Sequence, residues 1–131
     1  MISKNLRLLK IIPVLFVVLI SGCKTSISPE QIASADYGKL PSNYQEAIKS
    51  HMETLFFDPD SAHYRFVDDP IKGYAYVLGT LDPPVFGQLV TVRINAKGRL
   101  GEYVGEKPYT FLFKNEKFWM LSEFITREVV Q

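Results

Sequence analysis

Ser42–Phe66, SNYQEAIKSHMETLFFDPDSAHYRF, holds the change of period on which the fold turns. In its first half Tyr44, Ala47, Ile48, His51, Met52, Leu55 and Phe56 recur at the spacing of three and four that lines one side of an α-helix. Gln45, Glu46, Lys49, Ser50, Glu53 and Thr54 fall on the other side. Ser42 with Gln45, or Asn43 with Glu46, fits a capping box at the start. Pro59 disfavours helical backbone at Asp58 and brings no amide donor of its own, so it ends the helix. One amphipathic helix over about Asn43–Phe57 is predicted.

Beyond Pro59 the period falls to two. Ala62, Tyr64 and Phe66 share one side of a first strand, and Tyr74, Tyr76 and Leu78 share one side of a second. Val90, Val92 and Ile94 do so in a third, Tyr109, Phe111 and Phe113 in a fourth, and Trp119 and Leu121 in a fifth. Alternation marks half-buried, antiparallel strands rather than the continuous apolar runs of a parallel sheet. Ala96-Lys97-Gly98 is a turn signal, and Lys114-Asn115-Glu116-Lys117 joins two apolar runs at hairpin distance. The expected fold class is α+β: one helix packed on an antiparallel meander of four to five strands over residues 42–131. Leu55, Phe56, Tyr64, Phe111 and Trp119 are assigned to the inward side.

The first 22 residues read differently. Lys4, Arg7 and Lys10 stand in a stretch without acids, Ile11–Ile20 is almost wholly apolar, and Ser21-Gly22 precede Cys23. That is the layout of a secretory signal peptide. Crossing a bilayer takes about 20 apolar residues, and this run is too short and contains Pro13. Ile20-Ser21-Gly22-Cys23 resembles the lipobox of bacterial lipoproteins, which implies cleavage between Gly22 and Cys23 and acylation of Cys23. The resemblance also implies three acyl chains, an effectively permanent anchor where a single chain is reversible. Lys24 follows the cysteine in place of the Asp that favours inner-membrane retention, so the periplasmic face of the outer membrane is the expected location.

Residues 23–41 follow as the lipidated N-terminus and a flexible tether, since Lys24–Pro41 is rich in Ser, Ala and Pro with no apolar period. Three of the 15 basic residues lie in the leader and none of the 14 acids does, so the cleaved chain carries a net charge near minus two. With no run of Lys or Arg after the leader, a nucleic-acid partner is not expected, and neither is a polybasic patch for lipid headgroups. A single cysteine permits no intramolecular disulfide. A domain of this size buries only about 60–65% of its unfolded surface, so its stability should be modest.

Asp58, Asp60, Ser61 and His63 gather nucleophile, acid and base types in DPDSAHY. Ser61 and His63 stand two apart on one extended segment with no third group to orient the imidazole, which argues against a triad. The stretch also lacks the ligand alternation of a calcium loop. Asp58 and Ser61 are read as hydrogen-bonding local backbone, with Ala62 close to the helix. His51 belongs to the edge of the helix's apolar stripe, and two histidines without a second cysteine make no zinc set. Asp68-Asp69-Pro70 and Asp82-Pro83-Pro84 read as turns. No catalytic residue, metal, cofactor or small-molecule ligand is expected.

NYQEAIKSHMETLFFDPDSAHYRF together with VRINAKGRLGEYVGEKPYTFLF resembles a bacterial lipoprotein family with an Asn-Tyr helix start, an Asp-Pro-x-Ser-Ala-x-Tyr turn and a Val-Asn-Ala-Lys strand end before a Gly-rich loop. The likeness spans roughly Tyr37–Phe113, with Gly98 where Asn is usual and Glu102 where a second Gly is usual. It implies fold and location and no activity. The expectation is therefore an outer-membrane lipoprotein, held by lipid, whose non-catalytic domain binds an envelope protein. The alternative is a periplasmic inhibitor or immunity protein, and an envelope enzyme ranks below both. Arg99, Glu102, Tyr103 and Lys107 form the candidate partner-binding loop, too polar and too Gly-flanked for core. Pro83-Pro84-Val85-Phe86 is the next surface.

Overall fold

In the computed structural model, residues 27–76 and 84–121 are described, together with the backbone of 127–129. The expected leader, with Gly22 and Cys23, and Leu78 and Pro83 lie outside the described residues. The element order is α1 (Pro29–Ser34), α2 (Tyr44–Glu53), β1 (Asp58–Arg65), β2 (Ile71–Ala75), β3 (Val85–Lys97), β4 (Lys107–Lys114), β5 (Lys117–Leu121) and β6 (Arg127–Val129). The fold is α+β and rich in strand, with two short helices among the described residues where a single one was expected.

The strands form one antiparallel sheet in the order β5-β4-β3-β2-β6, with β1 also paired to β3. β2 to β5 make the expected meander. β1 departs from it, because the 13-residue β3 is long enough to hold two partners along one edge. Its first part pairs with β2 (Ala75↔Val85 to Ile71↔Leu89) and its last part with β1 (Arg65↔Arg93 to Asp58↔Lys97). β4 occupies the opposite edge from Gln88↔Phe113 to Ile94↔Lys107.

One face of this sheet carries the main core. Val90, Val92 and Ile94 of β3 and Phe111 and Phe113 of β4 alternate onto it and meet Ile48 and Met52 of α2, all buried. Ala62, Tyr64, Phe66 and Tyr109 complete the layer. Burying one such side chain is worth about 1.5–3 kcal/mol. His51 packs edge-on against the rings of Phe111 and Phe118.

Two inward assignments are corrected. Leu55 is 54% exposed. α2 stops at Glu53, four residues short of the expected end, because the Thr54 hydroxyl donates to the His51 carbonyl and the Thr54, Leu55 and Phe56 amides fold back on His51 and Met52. The tightened turn swings Leu55 out while Phe56 stays on the core. Trp119 lies on the other face of the sheet, beside Ala75, Leu89 and Leu112, because it stands opposite Leu112 and not Phe111 in the ladder. The capping box expected at Ser42 or Asn43 is absent from α2, whose Asn43 makes no side-chain cap.

The tether reading is corrected over its described part. A capping box does form, at Ser28 with Gln31, and opens α1. Tyr37 is buried, donates to the Ile32 carbonyl at 2.8 Å and meets Phe86 edge-to-face. Gly38 turns the chain at φ +64, and the next amide, Lys39 N–H, donates to Asn115 Oδ1 at 3.0 Å. Lys114 Nζ donates to the Asp36 carbonyl. Residues 28–40 are thus a strap fastened to the β4–β5 turn, and its one aromatic was the missed signal.

Candidate recognition surface

The connection from β3 to β4 folds back on itself. Gly98 N–H donates to the Glu102 carbonyl at 3.0 Å, Gly101 N–H to the Gly98 carbonyl at 3.0 Å, and Val104 N–H to the Ala96 carbonyl at 3.3 Å. Gly101 and Gly105 take φ of +74 and +98, where glycine carries no steric penalty. The turn leaves Leu100 93% exposed and Val104 59% exposed. Because Asp58 pairs with Lys97, the α2–β1 corner lies at the same end, with Phe57 67% exposed beside the already exposed Leu55. Four large apolar side chains therefore gather at one end of the sheet.

The expected recognition residues are all exposed along this connection, Tyr103 at 44%. Arg99 and Glu102 are exposed in the turn, and Lys107 begins β4 opposite Ile94. Tyr103 lies down across β1. Its hydroxyl donates to the Ser61 carbonyl at 3.1 Å and is 2.9 Å from His63 Nε2, while its ring tilts against His63 at 5.4 Å and takes Lys97 Nζ at 5.5 Å on its face. A phenol has one proton, and the Ser61 carbonyl accepts it, so His63 Nε2 is assigned as the donor to Tyr103. Tyr103 thus braces the loop where a freely presented contact residue was expected.

The DPDSAHY stretch belongs to β1 itself, with a register irregularity between Asp58 and His63. Ser61 Oγ donates to the Asp58 carbonyl at 2.7 Å and accepts Lys97 N–H at 2.8 Å, which fastens the irregular segment to β3. Asn95 Oδ1 accepts Gly105 N–H at 3.1 Å. Arg65 grips Glu106 with two guanidinium nitrogens, and Arg93 Nη1 approaches the same carboxylate at 3.9 Å. The hydrogen bond from Arg65 holds the Glu106 carboxyl below the usual carboxylate range; desolvation opposes it, and the charges of Arg65 and then Arg93 add to the lowering. These contacts clamp both ends of the 98–106 loop.

At the opposite end an open cleft of about 870 Å³ lies between the β4–β5 turn and the start of β3, lined by Pro84, Val85, Lys114–Lys117 and Trp119. Among the described residues no three His, Cys, Asp or Glu side chains are grouped to hold a metal ion, and no helix is long and apolar enough to cross a membrane. Compared with family models, with curated proteins and with solved structures, the chain finds no match in any of the three. The functional reading rests on the chain's own residues. Leu100 and Val104 were missed because an apolar residue in a turn reads as noise beside polar neighbours, and Leu55 and Phe57 because the helix was expected to run through them. The one available signal was Leu100 next to Gly101, a large side chain where turn chemistry favours small polar ones.

Proposed function

We propose that this chain is a lipid-anchored lipoprotein of the bacterial outer membrane and that its domain binds an envelope protein through the β3–β4 end. The observation that carries the binding surface is the group of exposed apolar side chains Leu100 and Val104, on a loop clamped by Tyr103 and Glu106, with Phe57 and Leu55 at the neighbouring α2–β1 corner. Exposed apolar side chains brought together on a rigid frame mark interaction sites, whereas scattered ones are ordinary. Leu100 and Phe57 are the anchors of the contact, Arg99 and Glu102 are its polar rim, and Tyr103 holds the loop in its bound shape before the partner arrives. The leader, its Ile20-Ser21-Gly22-Cys23 lipobox and Lys24 support the location and the anchor.

The test pairs a photo-crosslinking residue at Leu100 in cells with the same residue at Lys117 as a control. A discrete adduct from position 100 and not from 117 is expected. Phe57→Asp with Leu100→Asp should then abolish recovery of that partner while Tm and the mass of the acylated N-terminal peptide stay unchanged. Equal adducts from both positions, or full recovery by the double variant, would overturn the surface. An unmodified Cys23 in the mature protein would overturn the anchor.

A further inference from the structure

We infer that the end of the domain built from the strap and the β4–β5 turn rests against the headgroups of the bilayer that holds the anchor, through a lysine cluster no single run of sequence contains. The inference rests on the acylation of Cys23 proposed above.

Length comes first. From Cys23 to Ile27, the first described residue, there are four Cα steps, which span at most about 14 Å. Ser28 already caps α1, and the strap then runs into the sheet at Tyr37, Phe86 and Asn115. An anchored Cys23 therefore cannot hold the domain far from the bilayer. The strap also decides which end lies nearest. It is fastened to the β4–β5 turn through Lys39 with Asn115 and Asp36 with Lys114. The β3–β4 loop is at the far end of β4, seven residue steps or about 23 Å away.

Charge is the second observation. Lys39 follows Gly38 on the strap, Lys114 and Lys117 flank the turn, and Lys72 reaches from β2 over the Tyr37 ring at 5.4 Å. Four elements of the chain thus bring four lysines together, with Asp36 and Glu116 as the carboxylates among them. Glu30 in α1 adds another negative charge. The surplus is positive in a chain whose mature net charge is negative, and it lies on the strap through which an anchored Cys23 joins the sheet. A headgroup layer containing anionic phospholipid is the complementary surface, and proximity matters because salt screens this attraction beyond about 8 Å.

The protein carries its own reporter, since Trp119 is the only tryptophan and lines the cleft beside Lys114 and Lys117. Full-length protein, with acylation of Cys23 first established by mass, is reconstituted in phosphatidylcholine vesicles with and without phosphatidylglycerol. The vesicles contain a lipid with a nitroxide on its headgroup. Quenching of Trp119 is expected, stronger with phosphatidylglycerol. A Trp119→Phe, Leu100→Trp variant moves the reporter to the distal end and should lose the quenching. Lys114→Glu with Lys117→Glu should remove the phosphatidylglycerol dependence, and raised salt on the unmutated protein should do the same without a substitution. An acylated protein whose Trp119 is unquenched, or quenched no more than the distal reporter, overturns this inference and leaves the lipoprotein reading intact. An unacylated Cys23 overturns both.

Discussion

Tyr64 buries its phenol oxygen without a hydrogen-bond partner, facing the core beneath α2. Burial raises its pKa, and the nearby Glu53 carboxylate raises it further. An unsatisfied buried hydroxyl costs about 1–3 kcal/mol. Tyr64→Phe keeps the ring and removes the oxygen, so it should raise stability by about 1 kcal/mol, read as a higher urea midpoint with an unchanged slope. Glu106 acts in the opposite sense. Its pKa is lower in the folded chain than in the unfolded one, so its contribution is present above about pH 4.3 and is lost as pH falls through the depressed folded value. Glu106→Gln should therefore be less stable than the unmutated protein at neutral pH, and the gap should close in acid, as stability curves of the two proteins across that range will record.

At the scale of elements, what sequence periodicity discloses and what it hides separate cleanly. Alternation identified the inward residues of β3 and β4, since Val90, Val92, Ile94, Phe111 and Phe113 face the core they were assigned to. It failed at Leu55, where the helical period continues on paper but the hydroxyl of Thr54 ends the helix early. It also failed at Trp119, because which face a short hairpin strand presents depends on a register fixed by the turn, and Lys114↔Lys117 closes that turn with only two residues between them. The strap was illegible for a different reason. Its composition is that of a linker, and Tyr37 becomes core only because Phe86 and Lys72, distant in sequence, lie under and over it. Tyr37→Ala should thus cost about 3–5 kcal/mol, close to a large core truncation, whereas Leu55→Ala should cost under about 1 kcal/mol. Thermal melts of the two variants decide it, and equal shifts would contradict both assignments. The end proposed above as the recognition surface is marked in the chain by glycines, but the side chains that protrude from it are apolar ones that a search for polar contact residues passes over.

Taken whole, the molecule has a membrane-proximal end and a distal one under the readings proposed above, with β3 and β4 as the struts between them. Both packed clusters depend on the same two strands: Val90, Val92, Phe111 and Phe113 on one face, Leu89 and Leu112 on the other. Neither cluster can lose its strands while the other keeps them. Unfolding should accordingly be a single transition, with Trp119 fluorescence and backbone circular dichroism giving coincident midpoints. Separated midpoints would show that the faces melt independently.

The length of β3 has a consequence for how the protein is made. β1 and β2 share one edge of it and have no pairing with each other, so both must wait, unpaired, until Val85–Lys97 has been synthesised. β4, which covers the other edge, is later still. Loop closure across that much chain is slow compared with forming local contacts. Under the lipoprotein reading proposed above, a chain that stays open until most of its length exists suits a translocation pore that passes only extended polypeptide, and it gives a leader time to engage before a fold can compete. Shortening the β2–β3 connection would speed closure, and the expected penalty would appear as leader-bearing precursor accumulating in the cytoplasm.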